Sequence, residues 1–318
     1  MQFIDVRTDF AFKKVFGSEE SKDILISFLN AVLDDSIVDL TIINPYQIPL
    51  VEGLKETYVD IKAKLENGTT VLIEMQACNQ GGFGNRIQLN LAKTYSTQLR
   101  SGDKYVKHNR VIALTVTDFV MLNDDKLKSS VITHFGFMEL SKLVLFPYNQ
   151  MEMVFVELSK FDKKESELIS MADKWIYFIK QVGYLTSIPQ SLIEDETINH
   201  ALEIANAASL TPEEVEIQDK KTRWLADQEE VEAERQVALK KLAHMKVEKQ
   251  AAVAEKKAAL AALAEKQTAL EKAEQSAQQA EQSAKLQIAK QMLQHGAEIA
   301  FIMQVTGFPE ASIKNMSN

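Results

Sequence analysis

Between residues 231 and 284 the chain contains neither glycine nor proline and is dominated by alanine, glutamate, lysine and glutamine. If helical throughout, this tract of ~54 residues extends roughly 80 Å at 1.5 Å per residue. A single helix of that length ordinarily needs a partner. Leu263, Leu270, Ala277 and Ala284 recur every seven residues, with Ala273 and Ala280 as a second seam, while Lys249 and Lys256 interrupt the register upstream. Two arrangements suit this pattern. One is a weak Ala-rich coiled coil that makes the chain a homo-oligomer, and the other is a solvated single helix held by i,i+4 charge pairs.

Composition changes after about residue 210, and the sequence before that point reads differently. Phe12, Val15 and Phe16, then Ile24, Leu25, Phe28, Leu29 and Val32, recur at helical spacing, with Gly17-Ser18 between the two stretches. Strand-like segments follow at residues 37–43, 57–65 and 69–76, then a helical run at 85–100 and a buried-type strand at 111–117. The order is helix, three strands, helix, strand, and the class is α/β. A further strand is expected at 151–158 and helical structure at 165–208, with Trp175, Ile176, Phe178 and Ile179 as its apolar face. We therefore divide the chain into an α/β domain at 1–130, a mixed, mainly helical annex at 131–220, the long helix at 221–287 and a short helical tail at 288–318. In the tail, a helix is expected to continue around Gly296 to about residue 303, with Thr306-Gly307-Phe308-Pro309 breaking the chain before a last short helix. That arrangement suits half of a helix-turn-helix, but we read it as a small capping bundle.

Net charge excludes a generally basic coat for nucleic acid, since 36 Lys and Arg stand against 45 Asp and Glu, for a formal charge of −9. One positive patch stands out within this acidic background. Arg86, Lys93, Arg100, Lys104, Lys107 and Arg110 face only Asp103, a local excess of about five charges. With Tyr95 and Tyr105 interleaved, the stretch suits contacts to DNA phosphates, or a basic helix face paired with acidic neighbours. Cys78 is the single cysteine, so one chain has neither an internal disulfide nor a cysteine-based zinc cage. The five histidines are scattered, and Gly81-Gly82-Phe83-Gly84 lacks the Gly-Lys-Ser/Thr of a phosphate-binding P-loop. No apolar run approaches the ~18 residues of a membrane span. With no secretory start pattern either, a cytoplasmic, non-membrane protein is expected.

Chemistry is most legible around Glu66-Asn67-Gly68. Val59, Ile61, Ala63 and Leu65 alternate with Asp60, Lys62 and Lys64, and Val71, Ile73 and Met75 alternate with Leu72, Glu74 and Gln76. A two-residue Asn-Gly turn would put apolar and polar side chains on the same face. A three-residue loop with Gly68 in the left-handed position instead pairs Leu65 with Thr69, Ile61 with Ile73 and Val59 with Met75. That register sets Asp60 opposite Glu74, with Gln76 two positions along. Like charges facing each other across strands repel. A divalent cation such as Mg²⁺, which takes one or two carboxylates and keeps several waters, would turn the repulsion into coordination. Spacing alone favours the solvated face of a hairpin, in which Lys62 relieves the acids diagonally.

These residues also carry a resemblance. Thr8-Asp9-Phe10-Ala11-Phe12-Lys13-Lys14-Val15-Phe16-Gly17, Leu25-Ile26-Ser27-Phe28-Leu29-Asn30-Ala31-Val32-Leu33, Val59-Asp60-Ile61-Lys62-Ala63 and Ile73-Glu74-Met75-Gln76 resemble the Rpn family of recombination-promoting nucleases and transposases, within the PD-(D/E)XK superfamily. Arg86, the segment from Tyr95 to Tyr105, Trp175-Ile176-Tyr177-Phe178 and the Thr306-Gly307 tail fit as well, so the likeness covers most of the chain outside the Ala-rich tract. The resemblance implies a restriction-endonuclease-like core, helix-β-β-β-helix-β, and Mg²⁺-dependent DNA endonuclease activity in which Mn²⁺ substitutes. It further implies Asp60 and Glu74 as metal ligands and Gln76 as the third catalytic position, where the superfamily usually has lysine. Arg86, Lys93, Tyr95 and Arg100 are the expected DNA-binding residues, and Lys62 on the neighbouring strand is a candidate, not an assigned, source of the cation that Gln76 lacks. Asp9 is either the N-cap of the first helix or, with Lys13, a side chain approaching the site. The alternative to an enzyme is a nuclease fold without chemistry that serves as a DNA-binding or coiled-coil interaction module.

Overall fold

The computed structural model describes residues 2–47 and 57–316. Helices α1 (Asp9–Phe16) and α2 (Lys22–Leu33) precede strand β1 (Leu40–Ile43). A two-residue pairing of β2 (Tyr46–Gln47) with β3 (Thr57–Tyr58) leads into β4 (Ile61–Leu65), β5 (Thr70–Gln76), α3 (Phe83–Ser96) and β6 (Val111–Thr117). Strand β7 (Ile132–Phe135), the small hairpin β8 (Met138–Glu139) and β9 (Val144–Leu145), and strand β10 (Met151–Glu157) follow. The rest is helical: α4 (Met171–Gln181), α5 (Gln190–Ile193), α6 (Glu196–Ile204), α7 (Pro212–Gln294), α8 (Ile299–Thr306) and α9 (Glu310–Lys314). By contacts the chain forms two units, residues 1–233 and 234–318, and α7 contributes to both.

In the first unit a six-stranded mixed sheet runs β1-β4-β5-β6-β10-β7. Strands β5, β6 and β10 are parallel, and β1, β4 and β7 extend the sheet antiparallel at its two sides. Strands β5 and β6 are buried along their whole length, which explains their near-continuous runs of Val, Ile and Leu. Alternation assigns the faces. Val71, Ile73 and Met75 join α1, α2, α4 and α6 in the larger core, whereas Leu72 joins Phe83, Ile87 and Leu91 of α3 in a smaller one. In the larger core Trp175 of α4 meets Phe16 and Phe28 edge-on at centroid distances of 5.7 and 6.3 Å, and its indole N–H donates to Ser27 Oγ at 3.0 Å. All three rings are fully buried, each worth on the order of 1.5–3 kcal/mol in transfer free energy.

The hairpin takes the expected register. Ile61 pairs with Ile73 and Ala63 with Val71, and the Leu65 N–H donates to the Thr69 carbonyl at 2.8 Å. Gly68 has φ +88°, a left-handed conformation that favours glycine, and a Cβ there would also press on the Asn109 side chain, 2.8 Å from its Oδ1. The pattern fails one step beyond the ladder. A bend at Asp60 separates β3 from β4, and Val59 packs with Leu72, Phe83 and Ile87 beneath α3, not beside Met75 on the opposite face.

Other expectations change as well. Strands β7 and β10 lie in the same sheet as β4–β6, so residue 130 is not a boundary of the sheet, and α4 packs on the same core as α1. Helix α3 ends at Ser96, capped by the Thr97 N–H to Lys93 O, so Arg100 falls in the following turn. The first helix is capped by Thr8, whose hydroxyl accepts the Ala11 N–H at 3.3 Å. Asp9 is therefore not the N-cap but the first helical residue.

In the second unit α7 stops at Gln294 instead of continuing to about 303. Gly296, at φ +77°, ends it, with the Ala297 N–H bonded to Met292 O and the Gly296 N–H to Leu293 O. The end of α7, α8 and α9 then close around Ala289, Ile302 and Ile313, all fully buried. Among the described residues no helix is long and apolar enough to cross a membrane.

Candidate nuclease site

Asp60 stands where the β4 ladder gives out, and it takes over part of the pairing itself. Its Oδ2 accepts the Met75 N–H at 2.8 Å, and its Oδ1 lies 3.0 Å from Lys13 Nζ of α1. Glu74, one residue before that amide on the next strand, pairs with Arg86 of α3. The same Arg86 Nη2 donates to Gln76 Oε1 at 2.9 Å, and Gln76 Nε2 donates to the Cys78 carbonyl at 2.9 Å. Gly82, at φ +80°, turns the chain into α3 and so sets Arg86 one turn inside that helix. A bend, strand β5, the last turn of α1 and the first turns of α3 thus supply one group of side chains.

The group opens into a cleft of about 560 Å³ lined by Asp9, Asp60, Glu74, Gln76, Arg86 and, from α7, Lys221 and Trp224. Three ion pairs bind that part of α7 to the site: Lys14 to Glu214 at 2.6 Å, Asp9 to Lys221 at 3.0 Å and Arg7 to Glu229 at 3.0 Å. Arg7 also holds Asp5 and Asp118, at 2.7 and 2.6 Å. The intervals from 214 to 221 and 229 keep these side chains close to one helical face.

Electrostatics mark the two acids. Burial pushes the Asp60 carboxyl above the usual aspartate range, while Lys13 and the Met75 amide pull it back. Glu74 is likewise raised by burial; Arg86 opposes that shift, and the nearby Asp60 charge reinforces it. Two carboxylates and an amide oxygen are hard oxygen donors, a set that octahedral Mg²⁺ accepts while retaining several waters. Among the described residues, by contrast, no group of three or more His, Cys, Asp and Glu side chains is gathered for a metal. The residues present therefore fit a water-rich divalent ion and not a closed protein cage.

The remaining sequence-derived residues divide between the cleft and its surroundings. Asp60, Glu74, Gln76, Arg86 and Asp9 line it, and Lys13 reaches Asp60. Lys62, Lys93, Tyr95 and Arg100 do not line it. Tyr95 is stacked on His108 at 4.5 Å. The basic stretch is partly neutralised, Lys107 by Asp103 and Arg110 by Glu152. Sequence reasoning missed Tyr58, Lys221, Trp224 and Leu225. A tryptophan at the start of an Ala-rich helix was the available signal, because a solvated helix has no use for one.

The fold and site define a PD-(D/E)XK-type α/β protein with paired acids, one at the bend before β4 and one on β5. Residues 6–235 match the family model described as PD-(D/E)XK nuclease family transposase, and the chain belongs to that family. Residues 282–318 match a second model, the C-terminal HTH domain of the Rpn/YhgA-like nuclease family. The last two helices and the end of α7 are thus part of a helix-turn-helix domain, which corrects the capping-bundle reading. Neither the search of curated proteins nor the search of solved structures gave a match.

Proposed function

We propose that the chain is a Mg²⁺-dependent DNA endonuclease in which Asp60 and Glu74 hold the ion and Mn²⁺ substitutes for it. The observation that carries this reading is the pairing of two largely buried carboxylates on adjacent stretches of one cleft, inside the region that matches the nuclease family. The ion, when bound, supplies charge stabilisation at the phosphate and lowers the pKa of a water. Lys13 places a cation beside Asp60, where it opposes negative charge developing on the phosphodiester. Gln76 has no charge to offer; its two hydrogen bonds fix the amide plane so that it orients an oxygen of the substrate or of water. Arg86 bridges Glu74 and Gln76 and faces the cleft, in position to meet a phosphate. The helix-turn-helix domain is assigned the docking of duplex DNA. Self-association is assigned to the Ala-rich part of α7, where Leu260, Leu263 and Leu270 are exposed.

One observation favours a second reading. Lys13 and Arg86 already neutralise the two acids, as would suit a DNA-binding module without chemistry. Metal removal separates the two. Supercoiled plasmid should be nicked by the purified chain in Mg²⁺ or Mn²⁺ and left intact in EDTA, with activity restored on re-addition of the ion. Plasmid bound but left whole at every metal concentration identifies the binding module.

A further inference from the structure

Two large aromatic side chains lie in the cleft without being buried by it. Trp224, from α7, is 45% exposed and Tyr58, from β3, is 63% exposed, and both line the same cavity as Asp60 and Glu74. Tyr58 is stacked on Tyr46 at 4.7 Å with 29° between the rings, which restricts its orientation. Leu225, next to Trp224, is buried, so the helix is anchored at that turn while the indole remains open. Lys221, three residues before Trp224 and on the same side of the helix, adds a cation to the same wall.

A groove that meets only the outside of a duplex encounters phosphates and sugars, and cations and amides suffice for it. Exposed aromatic faces add nothing there, because the π-surfaces of paired bases are already stacked on one another. They gain 1–3 kcal/mol per base, about 5- to 150-fold in affinity, when a base is unpaired and free to stack. A volume of about 560 Å³ falls within the range of ~300–1,000 Å³ that encloses a ligand of nucleotide size. We infer that the cleft accepts an unpaired nucleotide, its base against Trp224 and Tyr58 and its phosphate toward Arg86, Lys221 and the paired acids. The inference deepens the nuclease reading and rests on it for the choice of polymer. The unpaired nucleotide comes either from a single strand or from a base extruded from a duplex.

The two tryptophans make the test direct. Trp175 is fully buried and hydrogen-bonded, so a ligand in the cleft changes the emission of Trp224 alone. The full chain is titrated in EDTA with a 12-nucleotide oligo-dT, with a fully paired 12-base-pair duplex and with the same duplex carrying a central unpaired thymidine. Oligo-dT and the bulged duplex are expected to quench Trp224 emission at concentrations at least about tenfold lower than any at which the paired duplex does, since duplex held by the helix-turn-helix domain leaves the cleft untouched. A bulged duplex that binds as well as oligo-dT assigns the source to extruded bases, and oligo-dT alone assigns it to single strands. Trp224→Ala and Tyr58→Ala should each weaken oligo-dT binding about tenfold, read by fluorescence anisotropy of a labelled oligonucleotide, and Trp224→Phe should retain most of it. Oligo-dT that quenches Trp224 no more than paired duplex does, or that binds Trp224→Ala as it binds the parent chain while the variant melts normally, overturns the inference whether or not plasmid is nicked. Quenching and aromatic dependence in a chain that never cuts plasmid leave the inference standing and remove the nuclease reading.

Discussion

Asp60→Asn and Glu74→Gln should each lower metal-dependent plasmid nicking by about 100- to 1,000-fold or more, the range expected when a group that stabilises transition-state charge is removed. Both substitutions keep the shape of the side chain and part of its hydrogen bonding. In Asp60→Asn the new amide oxygen still accepts the Met75 N–H, and in Glu74→Gln the new amide oxygen still accepts from Arg86, so the loss isolates the charge. Both variants should also fold without penalty in the absence of metal. Burial pushes both carboxyls upward, so each is less comfortable ionised in the folded chain than in the unfolded one, and a neutral amide removes that discomfort. Thermal midpoints at or above that of the parent chain, together with lost nicking, are the expected pair of results. Nicking that persists in both variants rejects this site, and lost nicking with a collapsed midpoint assigns the acids to folding.

The second large effect concerns stability and lies away from the cleft. Glu157, at the end of β10, is fully buried; it accepts the Met121 and Leu122 N–H groups at 2.7 and 3.0 Å and pairs with Lys160. Lys160 Nζ also donates to the Leu122 and Leu127 carbonyls, each at 3.0 Å. One acid and one base thus tie the loop after β6 to the end of the parallel strand beside it. Glu157→Ala leaves the Met121 and Leu122 amides and the buried Lys160 ammonium without their carboxylate, at a cost of about 3–5 kcal/mol. In a unit of roughly 230 residues this corresponds to a fall of about 6–20 °C in melting temperature, measured by circular dichroism. Lys107→Ala, which breaks the exposed pair with Asp103, should cost no more than about 1 kcal/mol. Equal effects of the two substitutions would contradict the assignment of the Glu157 pair as a buried tie.

Both results depend on features that the sequence discloses unequally. The hairpin register was legible because period-2 alternation and a left-handed glycine act locally and admit only one pairing with matched faces. For the same reason Asp60 and Glu74 were legible as neighbours. The bend at Asp60 was not, because it depends on α3 receiving Val59 on the other face, a contact that alternation alone does not encode. Arg86 read as one member of a basic stretch, yet the turn at Gly82 directs it back onto Glu74 while Tyr95 turns to His108. The α7 wall was least legible. Its contacts with Arg7, Asp9 and Lys14 span about 200 residues of chain, and the Ala-rich tract that follows conceals the boundary between a docked helix and a solvated one. In the tail, the elements were visible but the helix-turn-helix identity was not, since two short helices around glycine turns suit a bundle equally well.

The central claim is that Asp60 and Glu74 together hold one divalent ion. Titration of the metal-free chain with Mn²⁺, following the free ion by electron paramagnetic resonance, tests it most directly. One site per chain, lost in Asp60→Asn and lost again in Glu74→Gln, is the expected result. Binding of Mn²⁺ with unchanged stoichiometry and affinity in both variants would contradict it.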